Sequence, residues 1–374
     1  MYVSSLAFAS LVGSCLGQSS TASGPLTEYT LSAQAITAKF IPYGARITSL
    51  VVADRNGMDQ DVVVGYDNPA DYIRDTKTNH AYFGAVVGRY ANRIKNGTFT
   101  IDGITYHIPE NDNGGLDTLH GGIVGYDQRN WTTVLSNASS VTFALLDTAF
   151  EAFPGTVYTL GTYSVSSYPN PNHALHSHLL ELNAFKEKTA LNDTSVWMPY
   201  STRFVQTDGI LIPNGTIGLT SAVPALDFLA PSLLGHNINA AQDICGTGCQ
   251  GIDNAFILDR PPAYGDASTG FPVLSLWSNT TGIQLDVSTN QRGIQIYTCN
   301  SQNGTIPVKQ SQQARNKGSP NAAPYIEKHA CYAIEPQVWI DGINNPQWGV
   351  NQYEIFSPDT GPAISYSTYD FSTF

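Results

Sequence analysis

Apolar and polar positions alternate with period two along much of the chain. Thr98-Phe99-Thr100-Ile101, then Asp102-Gly103, then Ile104-Thr105-Tyr106-His107-Ile108 predicts a hairpin closed by a two-residue turn. Asp-Gly suits the positive φ angles of a type I′ turn. The same alternation predicts strands at Val141–Leu145, Thr156–Leu160, Ile283–Val287, Ile294–Tyr297 and Ala363–Tyr369. Gly, Pro, Asn and Asp punctuate these runs at the intervals of a sandwich. No apolar stripe of helical period runs beyond two turns, and no repeat of fixed length is visible. The expected fold is all-β: one large antiparallel domain of two or more packed sheets.

The N-terminus breaks the pattern. An apolar run from Leu6 to Leu16 ends in small residues, with Cys15 and Gly17 at the −3 and −1 positions of a cleavage site. That predicts a signal peptide over 1–17 and a single domain over 18–374. The run is too short to span a bilayer, which takes about 20 residues. Seven Asn-x-Ser/Thr sequons, at Asn96, Asn130, Asn137, Asn192, Asn214, Asn279 and Asn303, point the same way, to a secreted glycoprotein carrying N-glycans. Without Cys15 four cysteines remain: Cys245, Cys249, Cys299 and Cys331. In an oxidising compartment they form two disulfides. A Cys245–Cys249 loop leaves Cys299 with Cys331, although four cysteines allow three pairings. Short Cys-x2-Cys spacing is absent, so no metal is expected.

Composition narrows the partners. The 374 residues carry a net charge of −12 with no Lys/Arg cluster, which argues against nucleic acid or an anionic membrane. Charged residues are only 13%, about half the usual ~25%, so the surface suits a neutral ligand. With 42% hydrophobic residues the chain can build a large core.

Three clusters could carry chemistry. Gly88-Arg89-Tyr90-Ala91-Asn92-Arg93-Ile94 concentrates two arginines in a charge-poor chain. Leu119-His120-Gly121-Gly122 follows, with Gly125-Tyr126-Asp127 and Trp131. Ala333-Ile334-Glu335-Pro336-Gln337 puts a carboxylate on an apolar strand, where desolvation raises a carboxyl pKa and makes it a usable general base. Each also has a purely structural reading: Arg93 paired to a carboxylate, His120 in a glycine turn, Glu335 at a sheet edge. Trp131, Trp339, Tyr297 and Tyr126 are open between sugar platforms and core aromatics.

Taken in order, GRYANRI, LHGG with GYD, GIDNAFI and IEPQ resemble the aldose 1-epimerase (galactose mutarotase) family, from about residue 30 to the C-terminus. The resemblance implies a large β-supersandwich with an open cleft for a hexose, and a cofactor-independent isomerase that interconverts α and β anomers of free aldoses. It implies Glu335 as general base, Arg93 and His120 as substrate ligands, Asp253 as the carboxylate gripping sugar hydroxyls, and Asn92 and Gln337 as cleft residues. Asn254 stands where the family often has a histidine. A monomer acting on a monosaccharide, with no nucleic-acid or membrane partner, is the expected state.

The acid departs from the family. The family's acid histidine precedes a segment that Leu182-Asn183-Ala184-Phe185 resembles, but residues 164–181 are shorter than the family's two strands and lack their alternation. His178 is the first candidate and His176 the second. Two alternatives stay open: a sugar-binding relative that has lost the acid, and a glycoside hydrolase using Glu335 with Asp253 as its carboxylate pair.

Overall fold

The computed structural model of the protein describes residues 24–167, 178–261 and 271–374. The expected signal peptide and His176 lie outside them, and His178 is described by its backbone alone. The alternating runs fold as antiparallel strands, and the two α-helices, Ala70–Asp75 and Gln310–Arg315, are single short turns of chain. At the predicted hairpin, Thr98–Ile101 pairs with Ile104–His107, and Asp102 and Gly103 take φ of 52° and 78°. That matches the type I′ geometry Asp-Gly favours. The last strand departs from expectation, running over Ser367–Thr373 rather than from Ala363. Its partner Ile283–Thr289 ends at Thr289, which pairs with Ser367, so alternation before that point finds no ladder to join.

Two large sheets form a sandwich. The first has six strands, in spatial order His178–Leu180, Tyr332–Gln337, Gly293–Tyr297, Asp253–Ile257, Arg203–Thr207 and Pro213–Leu219. The second has five, in order Ser232–Leu233, Thr194–Trp197, Leu274–Ser278, Ile283–Thr289 and Ser367–Thr373. Four- and three-stranded sheets from the N-terminal half and three two-stranded ladders make up the other sheets among the described residues. One apolar cluster draws on all four: Phe40 and Leu50, Phe143 and Tyr163, Ile294 and Ile334, Leu276 and Leu285. The central strands of the two large sheets contribute alternate residues to it, so the intervening residues there face outward.

This packing pins the register. Ile294, Ile334 and Leu285 are fully buried, each contributing about 1.5–3 kcal/mol. A slip of one residue would turn the core set outward and carry Glu335 into the interior. Cys245 is bonded to Cys249 and Cys299 to Cys331, with Cα–Cα separations of 5.5 and 5.4 Å.

Candidate active site

The outward face of the six-stranded sheet gathers polar residues from its three middle strands. Gln295 pairs across the ladder with Glu335 on one side and Ala255 on the other. One step along, Asp253 pairs with Tyr297, and two residues the other way Gly293 pairs with Gln337. Paired residues share a face, so Glu335, Gln295, Gln337, Asp253 and Tyr297 stand together. Gln295 Nε2 donates to Asp253 Oδ1 at 2.6 Å. Burial raises the Asp253 carboxyl above its ordinary value, with the Arg93 charge and this hydrogen bond opposing the shift. Glu335 is half-buried. Gln295 Oε1 and both polar atoms of Gln337 are buried and have no hydrogen-bond partner among the described residues. Buried polar groups are ordinarily paired, so these suit a ligand rich in hydroxyls.

The glycine-rich motifs supply the rest. Arg93–Lys95 pairs with Asp117–Leu119, Arg93 opposite Leu119, which brings Arg93 and His120 to the same end of the ladder. Asn92 takes φ of 60°, a left-handed conformation that asparagine tolerates. It exchanges two bonds with His120: His120 N donates to Asn92 O at 3.1 Å, and Asn92 N donates to His120 Nδ1 at 3.1 Å. Gly121, at φ 91°, explains the paired glycines, because a Cβ there would run into the Gly88 carbonyl. That carbonyl also accepts the Tyr126 N–H at 3.0 Å, so the two motifs interlock.

The tautomer of His120 follows from these bonds. Nδ1 accepts a backbone N–H, which leaves the proton on Nε2. Burial, with Arg93 and His80 nearby, lowers its pKa to about 3, so the ring is neutral near pH 7. His120 therefore offers a fixed Nε2–H donor and holds no proton to give away. Arg93 is tied to Asp112 through Nε at 3.0 Å and Nη2 at 2.9 Å, while Nη1 makes no hydrogen bond among the described residues. The structural pairing of Arg93 is thus real, yet it orients a guanidinium that keeps donors to spare. Lys95 N donates to Asp341 Oδ1 at 3.2 Å, linking this strand to the segment that follows Glu335.

Sequence reasoning missed four contributors. Gln295 lies on a predicted strand, and its signal was a polar residue between two core isoleucines. Asp112 gave none. Tyr82 meets the His120 ring edge-on at 4.9 Å and stacks on His80 at 4.0 Å, and His80 Nε2 lies 2.9 Å from Asp127 Oδ2. Of the four open aromatics, Trp131 and Tyr126 belong to the core, and Trp131 Nε1 donates to Tyr126 O. Trp339 packs on Trp348, and Tyr297 stands on the Asp253 face. Asn254 points away from Asp253, buried, with Nδ2 donating to Ile244 O at 3.0 Å.

The candidate acid is placed differently from the base. His178 takes the register position opposite Ile334, which in turn pairs with Ile296, and both isoleucines are in the core. The row that contains Glu335 leaves the described residues before it reaches this strand.

Comparison with known proteins bears on the same residues. A model of the aldose 1-epimerase family matches residues 27–354. A probable aldose 1-epimerase from Arthroderma benhamiae is 50% identical, over 96% of this chain and 89% of its own. Galactose mutarotase from Homo sapiens is 30% identical, over 91% and 93%. Among solved structures, a GalM/aldose epimerase homologue from C. elegans superposes with a TM-score of 0.71 at 24% identity, covering 93% of this chain and 99% of that one. Galactose 1-epimerase from Lactobacillus acidophilus gives 0.60 at 18% identity, covering 92% and 94%. These likenesses match the sandwich described above.

Proposed function

The chain belongs to the aldose 1-epimerase family, and from that premise we propose that it interconverts the α and β anomers of free hexoses such as glucose or galactose. The observation that carries the reading is the shared face of Glu335, Gln295, Gln337 and Asp253, with Arg93 near enough for its charge to act on Asp253 and buried amide groups left for a polyhydroxylated ring. Glu335 takes the O1 proton while an acid protonates the ring O5, and the C1–O5 bond opens. The carbonyl end rotates and the steps reverse on its other face. The bonds to Arg93 Nη1 and His120 Nε2–H keep the open chain in place during that rotation. Each positioned proton transfer supplies roughly 10²–10⁴-fold. His178 is the proposed acid, from a histidine preceding the Leu182-Asn183-Ala184-Phe185 segment.

Polarimetry of fresh α-D-galactose tests this. The protein accelerates mutarotation, and His178→Ala removes roughly 10²-fold or more of the rate while His176→Ala changes it little. A second reading, a sugar-binding relative without the acid, is favoured by the register of His178 with Ile334. It predicts calorimetric binding of galactose with no acceleration. An active His178→Ala variant would remove His178 from the mechanism.

Secretion as a glycoprotein is part of the same proposal. All seven sequon asparagines are exposed, which supports it. Protein from the native medium should begin after Gly17 and lose mass on enzymatic deglycosylation; an intact N-terminus with no mass change sinks the idea.

A further inference from the structure

The outer face of the five-stranded sheet lies across the core from Glu335, since the strands of both sheets share one apolar cluster. Its inward residues, Val196, Leu274, Leu276, Ile283 and Leu285, are buried. Its outward residues are not an ordinary solvated set. Trp197 stands opposite Ser275 and Trp277 opposite Ser195, so each indole has a small neighbour across the ladder. Neither tryptophan joins an apolar cluster among the described residues. Trp197 Nε1 donates to Leu229 O at 3.2 Å, which fixes its ring, and the Trp277 N–H has no partner among the described residues. Such diagonal neighbours stand roughly 7–8 Å apart.

Polar groups flank the indoles. Gln284 is the cross-strand partner of Trp277, and Asp286 that of Ser275. Ser275 Oγ donates to Asp286 Oδ1 at 2.5 Å, and Gln284 Nε2 donates to Asp286 Oδ2 at 3.1 Å. The carboxylate is thus held in one orientation, and the Gln284 carbonyl oxygen is left as an acceptor. These residues, with Pro272 and Phe374, line an open depression of about 430 Å³ on this face. Asp286 faces Asp370 directly across the ladder. Like charges so placed are unfavourable, and they repel an anionic ligand.

Aromatic faces suit the C–H faces of a pyranose, and a prearranged row of acceptors suits its hydroxyls. A neutral, hydroxyl-rich ligand fits both, whereas an acidic one meets two carboxylates and an apolar peptide gives the Gln284 carbonyl oxygen no donor. We propose that this face is a second saccharide-binding site, separate from the Glu335 cleft, that takes a neutral glycan chain across Trp277 and Trp197. The inference does not depend on the catalytic reading.

The test titrates cellohexaose, laminarihexaose, maltohexaose and mannohexaose into the full protein carrying Asn279→Gln. That exposed sequon sits two residues beyond Trp277, and its own glycan could compete. Tryptophan fluorescence and calorimetry report binding, and mutarotation is assayed in the same samples. At least one hexasaccharide binds, Trp277→Ala and Trp197→Ala each weaken it roughly tenfold or more, and the mutarotation rate is unchanged. Gln284→Ala, which leaves both indoles in place, weakens binding without loss of thermal stability. Absence of binding by all four sugars overturns the proposal, as does binding that the tryptophan variants leave intact. Binding that free galactose displaces, or that disappears with Arg93→Ala, would assign the sugar to the catalytic cleft and overturn it equally.

Discussion

On the Arg93 side of the proposed cleft, the candidate ligand groups are tied to one another within one stretch of chain. Asn92 and His120 exchange two hydrogen bonds, Arg93 is clamped by Asp112, and Gly121 packs on the Gly88 carbonyl. On the Glu335 side the groups are set by the pairing of strands distant in sequence, Gln295 with Glu335 and Asp253 with Tyr297. The first arrangement is robust to changes elsewhere, because its geometry is local. The second depends on the core holding its register across strands far apart in sequence, and the candidate acid His178 lies on the last described strand at one end of that sheet. The Arg93 half of the candidate site is therefore better specified than the Glu335 half.

Arg93→Ala attacks the local side, with an expected effect second to that of replacing Glu335. It removes charge-assisted bonds worth about 1.5–3 kcal/mol and leaves Asp112 and the buried Asp117 without their cation. kcat/KM falls roughly 10–100-fold, read by polarimetry over a range of galactose concentrations. A change below threefold would mean that Arg93 only braces Asp112.

A pH titration of stability probes the segment that joins the two sides. Burial raises Glu354 to about 8 and Asp341 to about 6. The folded chain then holds protons that the unfolded chain has released. Stability present below about pH 4 is accordingly lost as pH rises towards about 8. The loss is read as a fall in melting temperature across that range. Glu354→Gln keeps an acceptor for the Tyr90 hydroxyl, now 3.1 Å from Glu354 Oε1, and flattens the profile. A variant whose melting temperature declines with pH as steeply as the parent's would acquit Glu354.

The same contrast explains what could be read from sequence. The hairpin over residues 98–107 was legible because Asp102-Gly103 encodes its turn locally. GRYANRI and LHGG were legible because close backbone approach requires glycine, and glycine is visible in a sequence. Glu335 was visible as a carboxylate on an apolar strand. Gln295 became significant only once Asp253 and Glu335 were seen on either side of it, and no local feature announces such a neighbour. Asp112 was invisible for the same reason: its partner is a long side chain reaching from another strand. The last strand began four residues late because its partner, not its own alternation, decides where pairing starts.

The central claim is that Glu335 is the base of a mutarotase, and Glu335→Gln tests it most directly. Polarimetry of fresh α-D-galactose should show acceleration by the parent protein and a rate lower by roughly 10²–10⁴-fold in the variant, with sugar binding and melting temperature preserved. A folded variant that still matches its parent would contradict the account, because another group, such as Asp253 on the same face, would then have to take the proton.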